Sequence, residues 1–294
     1  MNTGKLILAS LIAATLFFSC RPKPININVK PAVVKLVVSS SVIPNRIMLV
    51  SLTRSFSSLE IKLNQDTVSS NLAGTVLVKN AFVTVSYLGR KDTLIKIADG
   101  LYGSVNTLLA NNAVYELCAK DNDTGLEVTA STYMLPYHRF DSIRPYKLIT
   151  AKDTACILYY QLRDDPSLEN YYVVNYVRKL NKSSNSALSI DRVFANGSAS
   201  FENYFDLLND DSFTNGLYSV RTKLENVRPN DSISVSVANI SKGYYDFLSA
   251  FKRSGSLISN LTGEPINYPS NVNMGYGYFN AYYPQILFFD LNNY

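Results

Sequence analysis

The chain has 294 residues, a formal net charge of +5 and a hydrophobic fraction of 47%. That length is more typical of two ordinary domains than of one, and the hydrophobic fraction is sufficient for packed cores. The basic residues are scattered, so no nucleic-acid partner is predicted. The single histidine, His138, argues against catalytic or zinc sites that depend on histidine.

The first twenty residues have the pattern of an export signal. Lys5 precedes an apolar run from Leu6 to Phe18 that is too short to span a bilayer, and Ser19-Cys20 follows. We therefore predict a lipoprotein signal peptide over 1–19, lipidation of Cys20, and a Pro-rich, basic tether over 20–31. Because phenylalanines precede Ser19 where a lipobox has an aliphatic and a small residue, an ordinary signal peptide or an unprocessed anchor remains an alternative.

Runs rich in Val, Ile, Thr and Tyr, divided by turn-forming residues, predict a mainly β fold after the tether. An Ig-like β-sandwich is predicted over 32–138, followed by a second β-rich domain over 139–294. The predicted strands are 33–38, 47–52, 82–88, 93–97, 114–119, 126–132, 154–162, 171–179, 218–224, 232–238, 275–279 and 286–289.

Two local features of the second domain are predicted more specifically. Strands 154–162 and 171–179 read as a hairpin around Arg163-Asp-Asp-Pro166. A helix near 241–254 is indicated by Ser241 as N-cap and by the spacing of Tyr244, Leu248 and Phe251 on one face.

Several residue groups are candidates for chemistry, and each has a structural alternative. Asp164, Asp165, Glu169 and Asn170 could supply oxygen ligands to calcium, although a plain hairpin loop is favoured. The C-terminal tyrosines could stack on a ligand, but packing is favoured; they are Tyr268, Tyr276, Tyr278, Tyr282 and Tyr283.

The remaining chemistry-bearing motifs point to no reaction. Cys118 and Cys156 lie in apolar strand patterns, which favours free buried thiols over a disulfide. No phosphate loop, Cys-x-x-Cys pair or nucleophile elbow occurs in the sequence. We predict no catalytic residue, no cofactor and no metal site.

Motifs spread along the mature chain resemble a Bacteroidota lipoprotein family known as domain of unknown function 4249. They are Lys35-Leu-Val-Val38, Val78 to Val85 with Asp99-Gly-Leu-Tyr102, Tyr115-Glu-Leu with Ala130 to Pro136, Asp165-Pro166 with Asn170-Tyr-Tyr172, Ile240 to Leu248, and Asn271 to Phe279. The resemblance implies a first domain similar to carboxypeptidase-regulatory-like sandwiches. It also implies an outer-membrane lipoprotein encoded near TonB-dependent transporters, with no established catalytic residues.

The same resemblance implies a role for five triplets that begin with Asp and then Ser or Thr. That phylum O-glycosylates exported proteins at Asp-(Ser/Thr) followed by an aliphatic residue or Thr. The candidate acceptors are Thr67, Thr93, Ser142, Thr154 and Ser232. The alternative is that Asp ends a turn and Ser or Thr begins a strand. The basic Arg21 and Lys23, where surface-exposed lipoproteins often carry acids, leave the membrane face undetermined.

The sequence therefore predicts a non-catalytic outer-membrane lipoprotein that is an accessory or ligand-capturing partner of a TonB-dependent transporter. One alternative is a structural or adhesive envelope lipoprotein that binds glycan or surface proteins. A further alternative is a carboxylate-dependent envelope hydrolase. The ligand is not identified by the sequence.

Overall fold

The fold comes from a computed structural model, which describes residues 33–43, 47–56, 74, 76–104, 106, 112–149, 154–179, 201–224, 227, 231–254 and 268–291. These residues belong to the compact unit Val33–Tyr294. The predicted signal peptide over 1–19, the predicted lipidation site Cys20, the predicted tether over 20–31 and Thr67 lie outside the described residues.

The described chain is mainly β, as predicted. The strands are β1 Leu36–Ile43, β2 Ile47–Arg54, β3 Ala81–Tyr87, β4 Arg90–Ala98, β5 Leu101–Ser104, β6 Ala113–Asp121, β7 Glu127–Met134, β8 Ser142–Ile149, β9 Thr154–Arg163, β10 Tyr171–Lys179, β11 Phe201–Asn209, β12 Leu217–Leu224, β13 Ser232–Asn239, β14 Val272–Asn273, β15 Tyr276–Tyr278 and β16 Gln285–Asp290. Helix α1, Lys242–Ser254, follows β13, and a 3-10 turn covers Asp210–Ser212.

The first seven strands form one continuous sheet with β14 and β15 at its edges, in the order β14-β7-β6-β3-β4-β5-β2-β1-β15. Strand β4 pairs with β3 over residues 90–94 and with β5 over 95–98, and its register with β5 shifts between Lys96 and Ala98, an irregularity of the kind that bends a strand. Side chains from both halves, including Val50 of β2 and Leu117 of β6, meet in one core. We call this unit the N-terminal sandwich.

Two further sheets form the C-terminal sandwich, β12-β9-β8 and β11-β10-β13-β16. Alternate residues of β9, β10 and β13 point inward and share a core; Leu158, Val174 and Val235 in it are fully buried. The outer face of the four-stranded sheet packs against α1 through Val173, Ala238 and the helix residue Leu248.

The structure confirms most predicted elements and corrects others. Helix α1 begins where predicted, and the Tyr244 amide donates to Ser241 Oγ at 3.3 Å as an N-cap. The predicted hairpin of β9 and β10 is wrong, because β9 pairs with β8 and β12 whereas β10 pairs with β11 and β13. The loop after Arg163 therefore crosses from one sheet to the other. Strands β5, β8, β11 and β14 were not predicted.

The proposed domain division at residue 138 stays a prediction. The described residues show that the short strands β14 and β15, late in the chain, pair with strands of the N-terminal sandwich. Val272 lies opposite Ala130 of β7, and Tyr276 lies opposite Val37 of β1. Residues 271–280, which we call the closing segment, thus connect the two edges of the first sheet.

Candidate functional site

The acidic loop between β9 and β10 is held together by one side chain. Asn170 Nδ2 donates to Asp164 Oδ1 at 3.0 Å and to the carbonyl oxygens of Asp165 and Leu168 at 3.4 and 3.3 Å. Asp165 also accepts from the amide and hydroxyl of Ser167, and these hydrogen bonds lower its pKa. The acidic side chains therefore serve to fold the loop, which links two sheets and is not the hairpin turn that the sequence favoured.

Asp164 links this loop to the core of the C-terminal sandwich. It is buried, and Tyr172 Oη donates to its Oδ1 at 2.6 Å. Burial and this hydrogen bond raise the pKa of Tyr172. A carboxylate that accepts from both Asn170 and Tyr172 gains charge-assisted hydrogen bonds that offset part of its desolvation. The Asp165-Pro166 and Asn170-Tyr-Tyr172 motif is thus a loop anchor.

The single histidine lies beside this anchor. The His138 ring is 4.5 Å from the Tyr172 ring, centroid to centroid. Burial lowers the pKa of His138, and the negative charge of Asp164 opposes that shift only in part. His138 Nε2 is buried and makes no hydrogen bond. The histidine is a packed residue next to a carboxylate, an arrangement that the sequence did not reveal.

The closing segment is fixed by Asn271. Its Nδ2 donates to the carbonyl oxygens of Ser131 and Phe279 at 2.8 and 2.7 Å, and its Oδ1 accepts from the Phe279 amide at 2.9 Å. Phe279 is fully buried in the N-terminal core. Asn271 therefore closes a loop over residues 272–278 by pairing with both backbone groups of Phe279.

Two glycines allow the closing segment to approach the sheet edge. A Cβ on Gly275 would lie 2.7 Å from the Leu36 carbonyl oxygen. A Cβ on Gly277, whose φ is +91°, would collide with the backbone of Val38, its partner across the strand pair. Only glycine fits at 277 without displacement. The Asn271 to Phe279 motif is therefore a structural closure of the N-terminal sandwich.

A buried ion pair, not predicted from the sequence, stabilises one end of the same sandwich. Arg54 Nε donates to Asp121 Oδ2 at 2.7 Å, and the Asp121 side chain is fully buried. Burial raises the pKa of Asp121, but hydrogen bonds from Arg54, Thr124 and the Asp123 amide outweigh it, so the net shift is downward. This pair ties β2 to the turn between β6 and β7.

The C-terminal tyrosines divide into packed and exposed members. Tyr278 and Tyr282 are buried, and their rings lie 5.4 and 6.3 Å from the ring of Tyr244 on α1. Gly243 leaves room for the Tyr278 hydroxyl. Tyr268 and Tyr276 are 39% and 48% exposed. Packing accounts for the first two, and Tyr283 is half-buried with its ring 5.1 Å from that of Tyr137. Of the exposed pair, Tyr276 has the Lys35 ammonium 4.8 Å from its ring centre, and Tyr268 has the Phe247 ring at 6.1 Å.

The two described thiols are free and lie in different environments. Cys156 is buried in the C-terminal core, and Cys118 is half-buried with its Sγ 3.6 Å from Glu127 Oε1. Burial and the nearby carboxylate raise the pKa of Cys118, which keeps it a thiol.

The described glycosylation candidates differ in position. Ser142, Thr154 and Ser232 each begin a strand directly after an aspartate, which accounts for their triplets by strand geometry. Thr93 lies within β4 and is exposed. Glycosylation itself stays a prediction, which the intact mass of the natively produced protein would check.

Among the described residues, no three His, Cys, Asp or Glu side chains are grouped as metal ligands. No helix in the described ranges is long and apolar enough to cross a membrane.

Comparison with known proteins identifies the family of the chain from its sequence. A family model described as a domain of unknown function (DUF4249) matches residues 22–285. The chain belongs to this family. No curated protein matches it. Of the solved structures, the chicken interferon gamma receptor alpha chain shares 7% identity over 70% of this chain and 88% of the receptor chain, with a TM-score of 0.21.

Proposed function

We propose that this DUF4249 protein is a non-catalytic outer-membrane lipoprotein of the Bacteroidota type, acting as an accessory or ligand-capturing partner of a TonB-dependent transporter. The proposal combines family membership over 22–285 with the signal-like residues before it. The family resemblance supplies the transporter association.

One structural observation supports a binding role over a hydrolytic one. The motifs that mark the family lie in the framework of the fold: Asn170 and Tyr172 hold Asp164, and Asn271 holds Phe279. Each of these polar side chains makes hydrogen bonds within the protein. A carboxylate that binds a loop and a tyrosine is poorly placed to act as a general acid or base toward an outside substrate. Recognition then falls to the exposed surfaces that this framework presents.

The experiment is a tagged pull-down from gently solubilised native membranes, read by quantitative mass spectrometry. We expect a large transporter in nearly equal amount to the lipoprotein. An unrelated lipoprotein of the same membrane, carrying the same tag, is the control for co-solubilisation. Recovery of this protein alone, or an unchanged co-purification profile after deletion of the transporter, would refute the transporter role.

The anchor is tested separately. The mature protein from its native host should have the mass of a chain that begins at Cys20 and carries acyl groups. The Cys20→Ser variant should lose the acyl mass and leave the membrane fraction. If wild type and variant fractionate identically, the anchor assignment is wrong whatever the pull-down shows.

A further inference from the structure

The end of the N-terminal sandwich at which β1 begins carries a group of exposed apolar side chains. Val33 and Val34, just before β1, are 78% and 37% exposed, and Phe56, just after β2, is 51% exposed. Met274, in the turn between β14 and β15, is 81% exposed. We call these residues, together with Tyr276, the tether end. Isolated exposed apolar residues are ordinary, but several at one end of a domain indicate a contact surface.

Backbone pairing brings Val34 and Phe56 together. The Lys35 amide donates to Ser55 Oγ at 2.9 Å, and the Ser55 amide donates to the Lys35 carbonyl oxygen at 2.8 Å. The residues beside this pair therefore leave the sheet side by side.

The closing segment brings the other two residues to the same level. Strand β15 runs parallel to β1 with Tyr276 opposite Val37, so Met274 lies at the level of Lys35. The ammonium group of Lys35 lies 4.8 Å from the centre of the Tyr276 ring. An aromatic ring and a lysine beside apolar side chains are the combination found at the boundary between lipid tails and headgroups.

The charged side chains at this end give no net repulsion from a negatively charged lipid surface. Asp121 and Asp123 are paired with Arg54 at 2.7 and 3.5 Å. Asp99, in the turn between β4 and β5, is paired with Lys96 at 2.7 Å. Lys79 is exposed nearby. These three acidic groups are thus neutralised locally. Glu127, at the start of β7, is exposed and lies opposite the exposed Lys120 of β6.

We infer that the tether end rests on the surface of the bilayer, with its apolar side chains among the lipid headgroups. The inference rests on the proposed lipid anchor at Cys20. Only residues 21–32 separate that cysteine from Val33, which limits their separation to about 45 Å for a fully extended chain. Arg21, Lys23 and Lys30 in this stretch add positive charge that favours anionic lipid. This contact would hold the protein in one orientation on the membrane.

The test uses the absence of tryptophan from the sequence. Met274→Trp places a single reporter at the tether end, and Leu168→Trp places a matched reporter on the loop between β9 and β10, where the native side chain is 60% exposed. The mature chain is coupled through Cys20 to a maleimide lipid in phosphatidylcholine–phosphatidylglycerol vesicles. Cys118→Ser prevents coupling at the half-buried thiol, and Cys156 is buried.

Tryptophan emission is then compared in vesicles with and without brominated acyl chains. We expect quenching at least threefold greater for Met274→Trp than for Leu168→Trp, and we expect V34E in the Met274→Trp background to reduce it. Chemical coupling replaces native acylation, so the result does not depend on whether the cell lipidates Cys20. Equal quenching of the two reporters would overturn the inference. A concentration-dependent dimer in sedimentation that V34E abolishes would assign the surface to a second copy and overturn it as well.

Discussion

Replacing Gly277 with alanine is the most direct test of the closing segment. The φ of +91° disfavours any residue with a Cβ, and a left-handed conformation costs about 1–2 kcal/mol. The added methyl group would also collide with Val38, whose carbonyl carbon and amide nitrogen lie 2.9 and 3.0 Å from the new Cβ position. Overpacking of this kind costs about 1–3 kcal/mol. The expected loss of unfolding free energy is the sum, about 2–5 kcal/mol.

Gly89 is a matched control. Its φ is +72°, but nothing lies within 4 Å of a Cβ built on it. Gly89→Ala therefore carries the conformational cost alone, about 1–2 kcal/mol. Both variants, in a chain that begins at Cys20, would be unfolded in urea and followed by far-ultraviolet circular dichroism. If Gly277→Ala is destabilised by no more than Gly89→Ala, within about 0.5 kcal/mol, the tight approach of the closing segment to β1 is refuted.

Three further predictions concern the hydrogen-bonded framework and its titration. Asn271→Ala removes three hydrogen bonds of the closing segment and should lower the free energy of unfolding in urea by about 2–4 kcal/mol. Its control, Asn273→Ala, removes one hydrogen bond of 3.4 Å and should cost less than about 1 kcal/mol. Equal losses would contradict the role of Asn271 in fixing the closing segment. Tyr172→Phe removes a hydrogen-bond donor from the buried Asp164 carboxylate and should lower the free energy of unfolding by about 1.5–3 kcal/mol. Tyr146 is exposed, so Tyr146→Phe should change stability very little. A Tyr172→Phe variant as stable as wild type would contradict the loop anchor. Because burial lowers the pKa of His138 below 6.5, the unfolded chain binds the proton more tightly. Wild type should therefore lose stability as the pH falls from about 7 to 5, by no more than about 1.4 kcal/mol per pH unit. His138→Gln should remove that part of the slope, and an unchanged slope would show that the histidine is not responsible.

Local patterns predicted the elements whose information lies within a few residues. Alternating apolar residues identify β6 and β7, and Ser241 followed by a spaced apolar face identifies α1. Strand β8 was not predicted because Pro145 and basic residues interrupt its apolar alternation. It is an edge strand, and an edge strand tolerates a proline. Strand β11 is an edge strand whose Asn, Glu and Asp residues hide the alternation.

Pairing over long distances could not be predicted in this way. The sequence suggested a hairpin at Asp164, because turn chemistry between two strands favours one, but it did not show that the strands enter different sheets. The motif from Asn271 to Phe279 is visible in the sequence, but Ser131, which accepts a hydrogen bond from Asn271, lies 140 residues earlier. The ion pair of Arg54 and Asp121 joins residues 67 apart, and neither has a local signal.

The closing segment also determines when, during synthesis of the chain, the N-terminal sandwich can be completed. The Ser40 hydroxyl exchanges hydrogen bonds with Asn280 across a separation of 240 residues. As the chain emerges from a ribosome or a secretion channel, β1 and β7 are present long before the strands that cover their outer edges. Loop closure of this length is entropically slow, so the sandwich stays incomplete until nearly the whole described chain has emerged. On the export route that we propose, late completion would keep the chain flexible enough for translocation, and would leave the edges of β1 and β7 open to chaperones in the interval.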